Sequence, residues 1–324
     1  MITLRDRRVL VLGATGFIGR WVAREASRAG ARVTLAARDT ARASAVAAAY
    51  EITGTIAGVD VLDRGDVAAL VRDVRPEITF NLIGYGVDRR ETDTTLADAI
   101  NVELVQHLLP LVAEVSARHD WPGLQFVHTG SALEYGMASG HLAEDTAVNP
   151  STVYGRTKLA ATQLVAGAAA TGLRAVTARL FTVYGPGEHD GRLLPSVLAA
   201  RSASAPIPMT NGLQQRDFTY VGDVVEGLLR AAVQPAAPWP TVNLATGRLH
   251  TVRQFVGDAE RALGLTPGRF QFGALPTRAE EQTHDAVTVD RVRQWLGWVP
   301  DTPIAEGVAA TAAFLAAHPG SAPS

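Results

Sequence analysis

Cysteine is absent from the 324-residue chain. Its absence excludes disulfide bonds, a thiol nucleophile and any metal site with a cysteine ligand. A protein without disulfides fits a reducing compartment, so we expect a cytoplasmic location. An excess of charge of one sign is also absent, because 30 Lys and Arg residues stand against 32 Asp and Glu residues. A net charge of −2 gives no electrostatic reason to expect a nucleic acid or an anionic membrane as a partner.

Long uninterrupted apolar runs are missing too. The most apolar long window, residues 159–181, is interrupted by polar and charged residues, among them Thr162, Gln163, Arg174 and Arg179. Such a window predicts an alanine-rich packed helix followed by a buried strand, not a membrane span. Residues 1–8 are charged and lead straight into an apolar strand, an arrangement that differs from a signal peptide. We therefore expect no membrane association.

The eight histidines are scattered along the chain, and no pair has the spacing of metal ligands with a carboxylate nearby. The sequence therefore predicts no metal site. With 47% apolar and 19% charged residues, the composition is that of an ordinary globular protein with a substantial core.

Short apolar runs alternate with segments of helical periodicity through the first half of the chain. Residues 9–12 predict a strand, and residues 17–29 place Ile18, Trp21, Val22 and Ala26 at helical spacing. Further strands are predicted at 33–36, 55–59, 78–82 and 124–128, and further helices at 41–50, 67–74 and 95–118. Strands that are apolar on both faces and alternate with helices predict an α/β fold with a doubly wound parallel sheet, the Rossmann arrangement.

A glycine-rich turn lies between the first predicted strand and the first predicted helix. It carries three glycines in a GxxGxxG spacing. Glycines allow a tight turn and let backbone N–H groups approach a pyrophosphate, which the dipole of the helix start also favours. Between a strand and a helix, such a turn is typical of a dinucleotide site. The cofactor contacts predicted in this segment are Gly13, Thr15, Gly16, Phe17, Ile18 and Gly19.

The end of the second strand bears on the choice of cofactor. A ribose 2′-hydroxyl is usually held there by an acidic residue, whereas a 2′-phosphate needs a cation and no nearby carboxylate. Here Ala36 and Ala37 are followed by Arg38, whose guanidinium can bind a phosphate through two hydrogen bonds. The sequence favours NADP over NAD. A solvated Arg38 is the alternative, and a shift of one residue would make Asp39 the ribose acid and NAD the cofactor.

Two further strand ends are placed to contact the cofactor. Asp60 and Val61 follow the third strand, where we expect the adenine ring. Leu82, Ile83 and Gly84 follow the fourth strand and are expected to pass under the cofactor. Ordinary loop residues are the alternative at both places.

Tyr154 and Lys158 lie four residues apart near a predicted helix start, and hence on one helix face. A neighbouring ammonium favours the phenolate, so we expect Lys158 to lower the pKa of Tyr154 from about 10 and to fit it for proton transfer. Ser131 follows the apolar strand 124–128, where its hydroxyl can bind a substrate carbonyl or alcohol. An exposed Tyr–Lys pair is the alternative. Together with the glycine turn, the three residues predict a catalytic site.

These motifs resemble the extended short-chain dehydrogenase/reductase family of NAD(P)-dependent nucleotide-sugar epimerases, dehydratases and reductases. Glu134-Tyr135-Gly136, the segment 179–186 and the segment 216–221 add to the resemblance, which runs from about Val9 to Pro300. It implies that Tyr154 is the general acid/base, that Lys158 binds the nicotinamide ribose and tunes Tyr154, and that Ser131 orients the reacting oxygen. It also implies a nucleotide-diphosphate sugar as substrate.

The resemblance implies a set of substrate-binding residues: Ser131, Thr182, Arg192, Arg216 and Arg278. The last two match positions that grip the diphosphate in similar enzymes, and the planar fork of an arginine binds two phosphate oxygens at once. Taken alone, each arginine has a surface ion pair as its alternative role, for instance Arg216 with Asp217.

Four positions depart from the family pattern. The sugar 4,6-dehydratases carry an Asp–Glu pair after the strand-end hydroxyl, and Ala132 and Leu133 occupy those places here, so we do not expect dehydration. Thr182 stands where an Asn is often found, which changes how the sugar is held. Gly222 replaces a frequent Asp and leaves the anchoring of its loop open.

Loops rich in Pro and Gly separate shorter elements after Gly185. They predict a smaller C-terminal domain that is interleaved with the end of the sheet. We assign residues 1–180 and about 215–247 to an NAD(P)-binding Rossmann domain, and about 181–214 and 248–318 to a substrate-binding domain. The resemblance also implies a homodimer formed through the helical regions 95–118 and 153–170, although a face buried within the domain would have the same apolar character.

Two reactions fit these residues. The first is NADPH-dependent reduction of a nucleotide-linked 4-keto-6-deoxyhexose, favoured because the acid that selects NAD is missing. The second is an NAD-dependent nucleotide-sugar 4-epimerase that uses the same tyrosine. A non-catalytic dinucleotide sensor on the same fold is a third hypothesis, and the Tyr–Lys pair counts against it.

Overall fold

The computed structural model describes residues 2–88, 90–136, 141–203, 205–266, 268–276 and 284–318. The strands are β1 (Arg8–Leu12), β2 (Arg32–Ala37), β3 (Thr55–Gly58), β4 (Ile78–Asn81), β5 (Phe126–Ser131), β6 (His141–Leu142), β7 (Ala175–Leu180), β8 (Thr182–Tyr184), β9 (Ile207–Met209), β10 (Gln215–Tyr220), β11 (Thr241–Leu244), β12 (Leu249–Thr251), β13 (Phe270–Phe272) and β14 (Ala286–Val287). The helices are α1 (Phe17–Arg28), α2 (Thr40–Ala49), α3 (Arg64–Val74), α4 (Thr94–Asp98), α5 (Leu104–Ser116), α6 (Val153–Ala170), α7 (Leu193–Ala199), α8 (Val221–Ala232), α9 (Val252–Leu263), α10 (Asp290–Leu296) and α11 (Ile304–Ala317). A π-helix (Ala99–Glu103) joins α4 to α5, and a 3₁₀ helix (Ala132–Glu134) follows β5.

Seven strands form the main sheet in the order β11-β7-β5-β4-β1-β2-β3, and each neighbouring pair is parallel. β1 is flanked by β2 and β4, with Val9 opposite both Val33 and Ile78. The chain winds outward from β1 to β3 and then returns to β4 on the other side. The predicted α/β fold with a doubly wound parallel sheet is confirmed. In such sheets ligands bind at the carboxyl ends of the strands, where the winding reverses.

Alternate residues of β1 face opposite helical layers. Val9 and Val11 belong to one buried core with residues of α1 and α8, whereas Leu10 and Leu12 belong to a second core with residues of α3, α5 and α6. Burial of each such side chain contributes about 1.5–3 kcal/mol. Helices on both faces explain why the strands are apolar on both faces.

A smaller unit is built on two short sheets. One contains β8, β10 and β12, and the other pairs β9 with β13. With α7, α9 and part of α11 they enclose a third core, in which the rings of Phe218 and Phe255 lie 4.4 Å apart and Tyr184 packs edge-on against Phe255. This unit follows the carboxyl ends of β7 and β11, next to the edge where a ligand is expected.

The division into two domains stays a prediction, but the packing shows where each assigned segment lies. Within 215–247, β10 belongs to the three-stranded sheet, whereas α8 and β11 pack with the main sheet. Within 248–318, Val287, Val289 and Val292 belong to the core shared with α1 and α8. The chain therefore crosses between the two units more often than the sequence indicated.

Asp223 supplies the loop anchoring that the sequence left open. Its buried carboxylate accepts hydrogen bonds from the N–H of Asp301 (3.1 Å), the N–H of Thr302 (2.9 Å) and the hydroxyl of Thr302 (2.6 Å). A Cβ atom at Gly222 would lie 2.7 Å from the ring of Tyr220. The glycine makes room for that ring, and Asp223 ties the start of α8 to the segment that precedes α11.

One helical stretch, Thr94–Ser116, is long and apolar enough to cross a membrane by length and composition. It comprises α4, the π-helix and α5, and it corresponds to the helix predicted at 95–118. Leu104, Leu108 and Val112 of this stretch are buried in the core that includes α3 and α6. The stretch is packed as part of a helical layer over the sheet, and the absence of membrane association stays a prediction.

Candidate active site

Ser131, Tyr154 and Lys158 come together at the carboxyl end of β5. β5 ends at Ser131, whose side chain lies close enough to Tyr154 to influence the pKa of its phenol. α6 begins at Val153, carries Tyr154 in its first turn and places Lys158 one turn later. A Cβ atom at Gly155 would lie 2.4 Å from the carbonyl oxygen of Leu133, so this glycine allows α6 to approach the 3₁₀ helix closely. The structure thus brings together the three residues that the sequence singled out for catalysis.

Burial sets the pKa values of this pair. Lys158 is 1% exposed, and burial lowers the pKa of its ammonium to about 8, although the carboxylate of Glu134 opposes the change. Burial raises the pKa of Tyr154, and Glu134 raises it further, while Ser131 acts in the opposite direction. The expectation of a lowered tyrosine pKa is wrong for this structure, because burial outweighs the neighbouring cations. Tyr154 therefore holds its proton at neutral pH.

Lys158 is also the only lysine of the chain, since the other 29 basic residues are arginines. Arginine stays charged at all ordinary pH values, whereas a buried ammonium is compact and able to titrate. A single lysine among arginines, at this position, indicates chemistry that a guanidinium does not supply. The signal was present in the sequence and was missed there.

The glycine turn has the geometry of an anion cradle. Gly13 adopts φ +81°, where an L side chain is strained, and a Cβ atom at Gly19 would lie 2.0 Å from the carbonyl oxygen of Gly13. α1 begins at Phe17 after Gly16, and no described side chain caps its first turn. Uncapped N–H groups at a helix start favour an anion. This arrangement fits a dinucleotide pyrophosphate; Thr15 and Ile18 lie in the same turn.

Arg20 supports this turn and was missed by the sequence reasoning. Its buried guanidinium donates to the carbonyl oxygens of Thr15 (2.7 Å) and Gly16 (3.0 Å) and to the hydroxyl of Tyr50 (3.2 Å). The backbone N–H of Arg20 also donates to the Gly16 carbonyl oxygen (3.2 Å). Arg20 therefore holds the glycine turn in shape.

Arg38 and Asp39, which follow β2 directly, differ in their surroundings. β2 ends with the buried Ala36 and Ala37, and Arg38 is exposed directly after them. The carboxylate of Asp39 accepts the N–H of Arg42 (2.9 Å) and caps α2. Asp39 is thus engaged as a helix cap.

The other predicted cofactor residues lie at the same edge of the sheet. Asp60 and Val61 are half-buried just beyond β3, and the Asp60 carboxylate accepts the N–H of Leu62 (3.1 Å). Leu82, Ile83 and Gly84 follow β4, and a Cβ atom at Gly84 would lie 3.8 Å from the hydroxyl oxygen of Tyr154. The loop after β4 therefore passes beside Tyr154.

Asn101, which the sequence reasoning missed, links that loop to the helix of Tyr154. It lies buried in the π-helix, where its side chain accepts the N–H of Tyr85 (2.9 Å) and donates to the Tyr85 carbonyl (2.8 Å) and the Thr157 hydroxyl (2.8 Å). π-helical turns are frequent at functional sites. The sequence did contain a signal for Asn101, because its amide side chain lies within an otherwise apolar helical run.

The predicted substrate residues are distributed around this centre. Thr182 is half-buried at the start of β8. Arg192 precedes α7, lies 3.5 Å from the Glu188 carboxylate and is close enough to Tyr154 to influence its pKa. Arg216 is half-buried on β10 and influences the pKa of His284. Arg278 lies outside the described residues.

Asp217, the suggested ion-pair partner of Arg216, has a structural role. It is fully buried, and its carboxylate accepts hydrogen bonds from the hydroxyls of Thr219 and Thr246 (3.0 Å each) and from the N–H of Gly247 (2.8 Å). These bonds tie β10 to the turn after β11. Arg216 is thereby held beside the end of the main sheet.

The family model of the NAD dependent epimerase/dehydratase family matches residues 9–245. The chain belongs to this family. It is an NAD(P)-dependent enzyme of the extended short-chain dehydrogenase/reductase superfamily, as the sequence motifs predicted.

Two of the similar proteins are named for reactions on nucleotide sugars. The chain is 31% identical to the dTDP-6-deoxy-L-talose 4-dehydrogenase (NAD(P)(+)) of Kitasatospora kifunensis, over 93% of each chain. It is 28% identical to the UDP-glucose 4-epimerase of Mycolicibacterium smegmatis, over 95% of this chain and 98% of that one.

Two solved structures have a fold similar to that of this chain. MoeE5 in complex with UDP-glucuronic acid and NAD superposes with a TM-score of 0.79 at 27% identity, over 95% of this chain and 99% of that one. The UDP-glucose 4-epimerase of Stenotrophomonas maltophila, at 22% identity, has a TM-score of 0.80 over 96% and 98% of the two chains and shows the likeness of fold.

The 3₁₀ helix after β5 carries the two residues on which the expectation of no dehydration rests. Ala132 and Leu133 occupy its first two positions, and Leu133 is 36% exposed. Glu134 comes next but is fully buried and bound to Arg179 (2.8 Å). A buried carboxylate committed to an arginine is not placed to remove a substrate proton.

Proposed function

We propose that this enzyme is an NADPH-dependent reductase of a nucleotide-linked 4-keto-6-deoxyhexose. The end of β2 carries the argument. Ala36 and Ala37 leave no acid for a ribose 2′-hydroxyl, Arg38 offers a cation for a 2′-phosphate, and Asp39 is engaged as a helix cap. A net reduction normally draws on NADPH. The relative named dTDP-6-deoxy-L-talose 4-dehydrogenase supports oxidoreduction at position 4 of such a sugar.

The side chains divide the chemistry between them. Bound NADPH supplies the hydride for the C4 carbonyl carbon. Tyr154 donates its hydroxyl proton to the carbonyl oxygen, and Ser131, at the end of β5 beside Tyr154, holds that oxygen in place. The phenol of Tyr154 carries its proton at neutral pH and is therefore available as the acid. Lys158 provides a positive charge one turn away that stabilises the phenolate left behind, which then takes a proton from water.

Arg192 and Arg216 are the described cations proposed to hold the substrate diphosphate. Arg192 already lies near Tyr154, and its partner Glu188 is buried with a pKa raised to about 7 by burial. A carboxylate in this state competes weakly for the guanidinium. Arg192 can therefore exchange Glu188 for a phosphate at modest cost.

The first test is consumption of NADPH and NADH, followed by absorbance, with dTDP-, UDP-, GDP- and CDP-linked 4-keto-6-deoxyhexoses. We expect stoichiometric NADPH oxidation with one of them and a preference for NADPH over NADH. Tyr154→Phe should lower turnover by about 10²–10⁴-fold without loss of NADPH binding. Equal turnover by Tyr154→Phe would contradict the role of the phenol.

An NAD-dependent nucleotide-sugar 4-epimerase is the second candidate. It is favoured by the 28% identity, over nearly the whole chain, to proteins named UDP-glucose 4-epimerase. An epimerase returns the hydride to the substrate and keeps its NAD. Absence of NADPH oxidation, together with NAD released from denatured protein and interconversion of 4-epimers, would replace the reductase assignment.

A further inference from the structure

Glu134 is buried directly behind the catalytic centre and cross-links three of its elements. One carboxylate oxygen accepts the backbone N–H of Ser131 (2.8 Å) and the hydroxyl of Thr162 on α6 (3.1 Å). The other accepts the Nε–H of Arg179 on β7 (2.8 Å). Glu134 itself is 0% exposed. A single carboxylate thus joins β5, α6 and β7.

The backbone around Glu134 is shaped to admit it. A Cβ atom at Gly130 would lie 2.4 Å from its Oε1 atom, so the residue before Ser131 must be glycine. Thr162 lies one turn beyond Lys158 on α6. The bond from Thr162 therefore fixes the helix that carries Tyr154 and Lys158 against the strand that carries Ser131.

Stability alone does not explain a buried ion pair at this place. Apolar residues of similar volume often replace such pairs without loss of stability, because desolvation of two charges offsets their attraction. The Arg179 guanidinium also lies over the ring of Tyr135, 4.6 Å from its centroid, and Tyr135 donates to Asn243 (2.7 Å). The pair belongs to a hydrogen-bonded network with a defined geometry.

The charge of Glu134 acts on both titrating groups of the centre. Among the charged groups that influence Tyr154 are Glu134, Glu91 and Arg192, and Glu134 is the carboxylate that influences Lys158. The buried His128 is affected by the Lys158 charge, and its own pKa is lowered well below the usual range by burial. His128 is therefore neutral and adds no second positive charge beside Lys158. The charge that acts in favour of the Lys158 ammonium is that of Glu134.

We propose that Glu134 is a positioning residue: its carboxylate, bonded to the Ser131 amide and to the Thr162 hydroxyl, fixes β5 against the helix that carries Tyr154 and Lys158 and places a negative charge behind that helix. The proposal rests on the assigned roles of Ser131, Tyr154 and Lys158 in the proposed reduction. Its two parts are separable, because Thr162 contributes to the geometry and the carboxylate contributes to the charge.

The decisive variant is Glu134→Gln, which keeps the size of the side chain and removes its charge. Because Lys158 is the only lysine, protein labelled with [¹³Cε]lysine gives a single resonance whose pH titration reports this one ammonium. We expect the midpoint, about 8 in the wild type, to fall by at least about 0.5 in Glu134→Gln. In turnover assays kcat should fall by about 10- to 100-fold with KM changed less than about twofold.

Glu144→Gln is the matched control. Glu144 is a partly buried carboxylate of the same network that accepts the N–H of Asn243 (2.8 Å). This change should leave both the Lys158 midpoint and kcat unchanged. Thr162→Val should lower kcat several-fold without a change of midpoint, since it removes one hydrogen bond and no charge.

The NMR titration needs no turnover, so it tests Glu134 even where the reductase assignment fails. An unchanged Lys158 midpoint in Glu134→Gln, or an equal change in Glu144→Gln, would overturn the role of the charge. Unchanged kcat in Thr162→Val would overturn the role in geometry. Where Glu134→Gln does not fold because Arg179 loses its partner, the double variant Glu134→Gln/Arg179→Met removes both charges and should show the same fall in the Lys158 midpoint.

Discussion

Replacement of Lys158 by an apolar side chain should stabilise the fold and, if the proposed role of this lysine holds, abolish activity. Lys158 is 1% exposed, and burial lowers its pKa from 10.5 to about 8. Folding therefore carries a free-energy cost, because it moves the charged ammonium of Lys158 out of water. Lys158→Met keeps a flexible chain of similar length in the same space and removes that cost.

The magnitude follows from the two pKa values. Each pH unit of difference between the folded and unfolded pKa corresponds to about 1.4 kcal/mol, so the cost is about 3 kcal/mol. Below pH 8 the ammonium is charged in both states and the cost is complete. Between pH 8 and 10.5 the unfolded chain binds more protons than the folded one, so the stability of the wild type rises with pH. Above 10.5 both states are neutral and the cost has disappeared.

Urea unfolding of the cofactor-free protein at pH 7, 8, 9 and 10, followed by tryptophan fluorescence, measures this directly. Lys158→Met should be about 3 kcal/mol more stable than the wild type at pH 7, and the difference should narrow as the pH rises. Arg156→Met, on the exposed side of the same helix, is the matched control and should show a pH-independent difference. A constant difference between Lys158→Met and the wild type, or a more stable wild type at pH 7, would refute the reasoning.

Three further predictions concern the turn after β5, the anchor of α8 and the cofactor edge. Gly136→Ala should lower the free energy of unfolding by at least about 3 kcal/mol in urea unfolding, because φ is +61° and the added Cβ would lie 1.7 Å from the Asn149 carbonyl oxygen. Asp223→Ala should cost about 3 kcal/mol in the same assay, because it removes three hydrogen bonds to the segment before α11. Arg38→Ala should raise the Kd of NADPH about tenfold and leave that of NADH unchanged, measured by quenching of tryptophan fluorescence.

Each of these predictions has its own contrary result. Gly172→Ala is a control for Gly136→Ala, since φ is +106° but no atom lies within 4 Å, so only backbone strain is added. Equal losses at the two sites would exclude the clash as the cause. Asp223→Asn should be milder than Asp223→Ala, and equal losses would argue against the hydrogen bonds. Asp39→Ala should cost about 1 kcal/mol as a lost helix cap without a change in the preference for NADPH, and a change would make Asp39 part of the cofactor site.

The parts of the structure that periodicity predicts are those that local sequence determines. Residues 9–12 are apolar on both faces, and the parallel sheet with two helical layers follows from that pattern. The glycine turn and the Tyr154/Lys158 spacing could also be recognised in the sequence, because each is confined to a few neighbouring residues. The structure gathers them with Ser131 at one edge of the sheet.

The parts that the sequence did not predict depend on partners far apart in the chain. The direction of the Tyr154 pKa change required knowledge of burial and of Glu134, neither of which a four-residue spacing contains. In the sequence Glu134 contributed only to the family resemblance, because its partner Arg179 lies 45 positions later in the chain. Asp223 likewise acts through residues 301–302. The homodimer and the cytoplasmic location stay predictions, and the Arg278 contact lies outside the described residues.

The most direct test of the proposed reaction is transfer of deuterium from NADPH that is deuterated at both C4 positions of the nicotinamide. The product of a dTDP-linked 4-keto-6-deoxyhexose, analysed by mass spectrometry and NMR, should carry one deuterium at sugar C4, with one NADP formed for each sugar reduced. Tyr154→Phe should abolish this transfer. Conversion of the wild type's sugar substrate without deuterium at C4, or interconversion of 4-epimers without oxidation of NADPH, would contradict the reductase account.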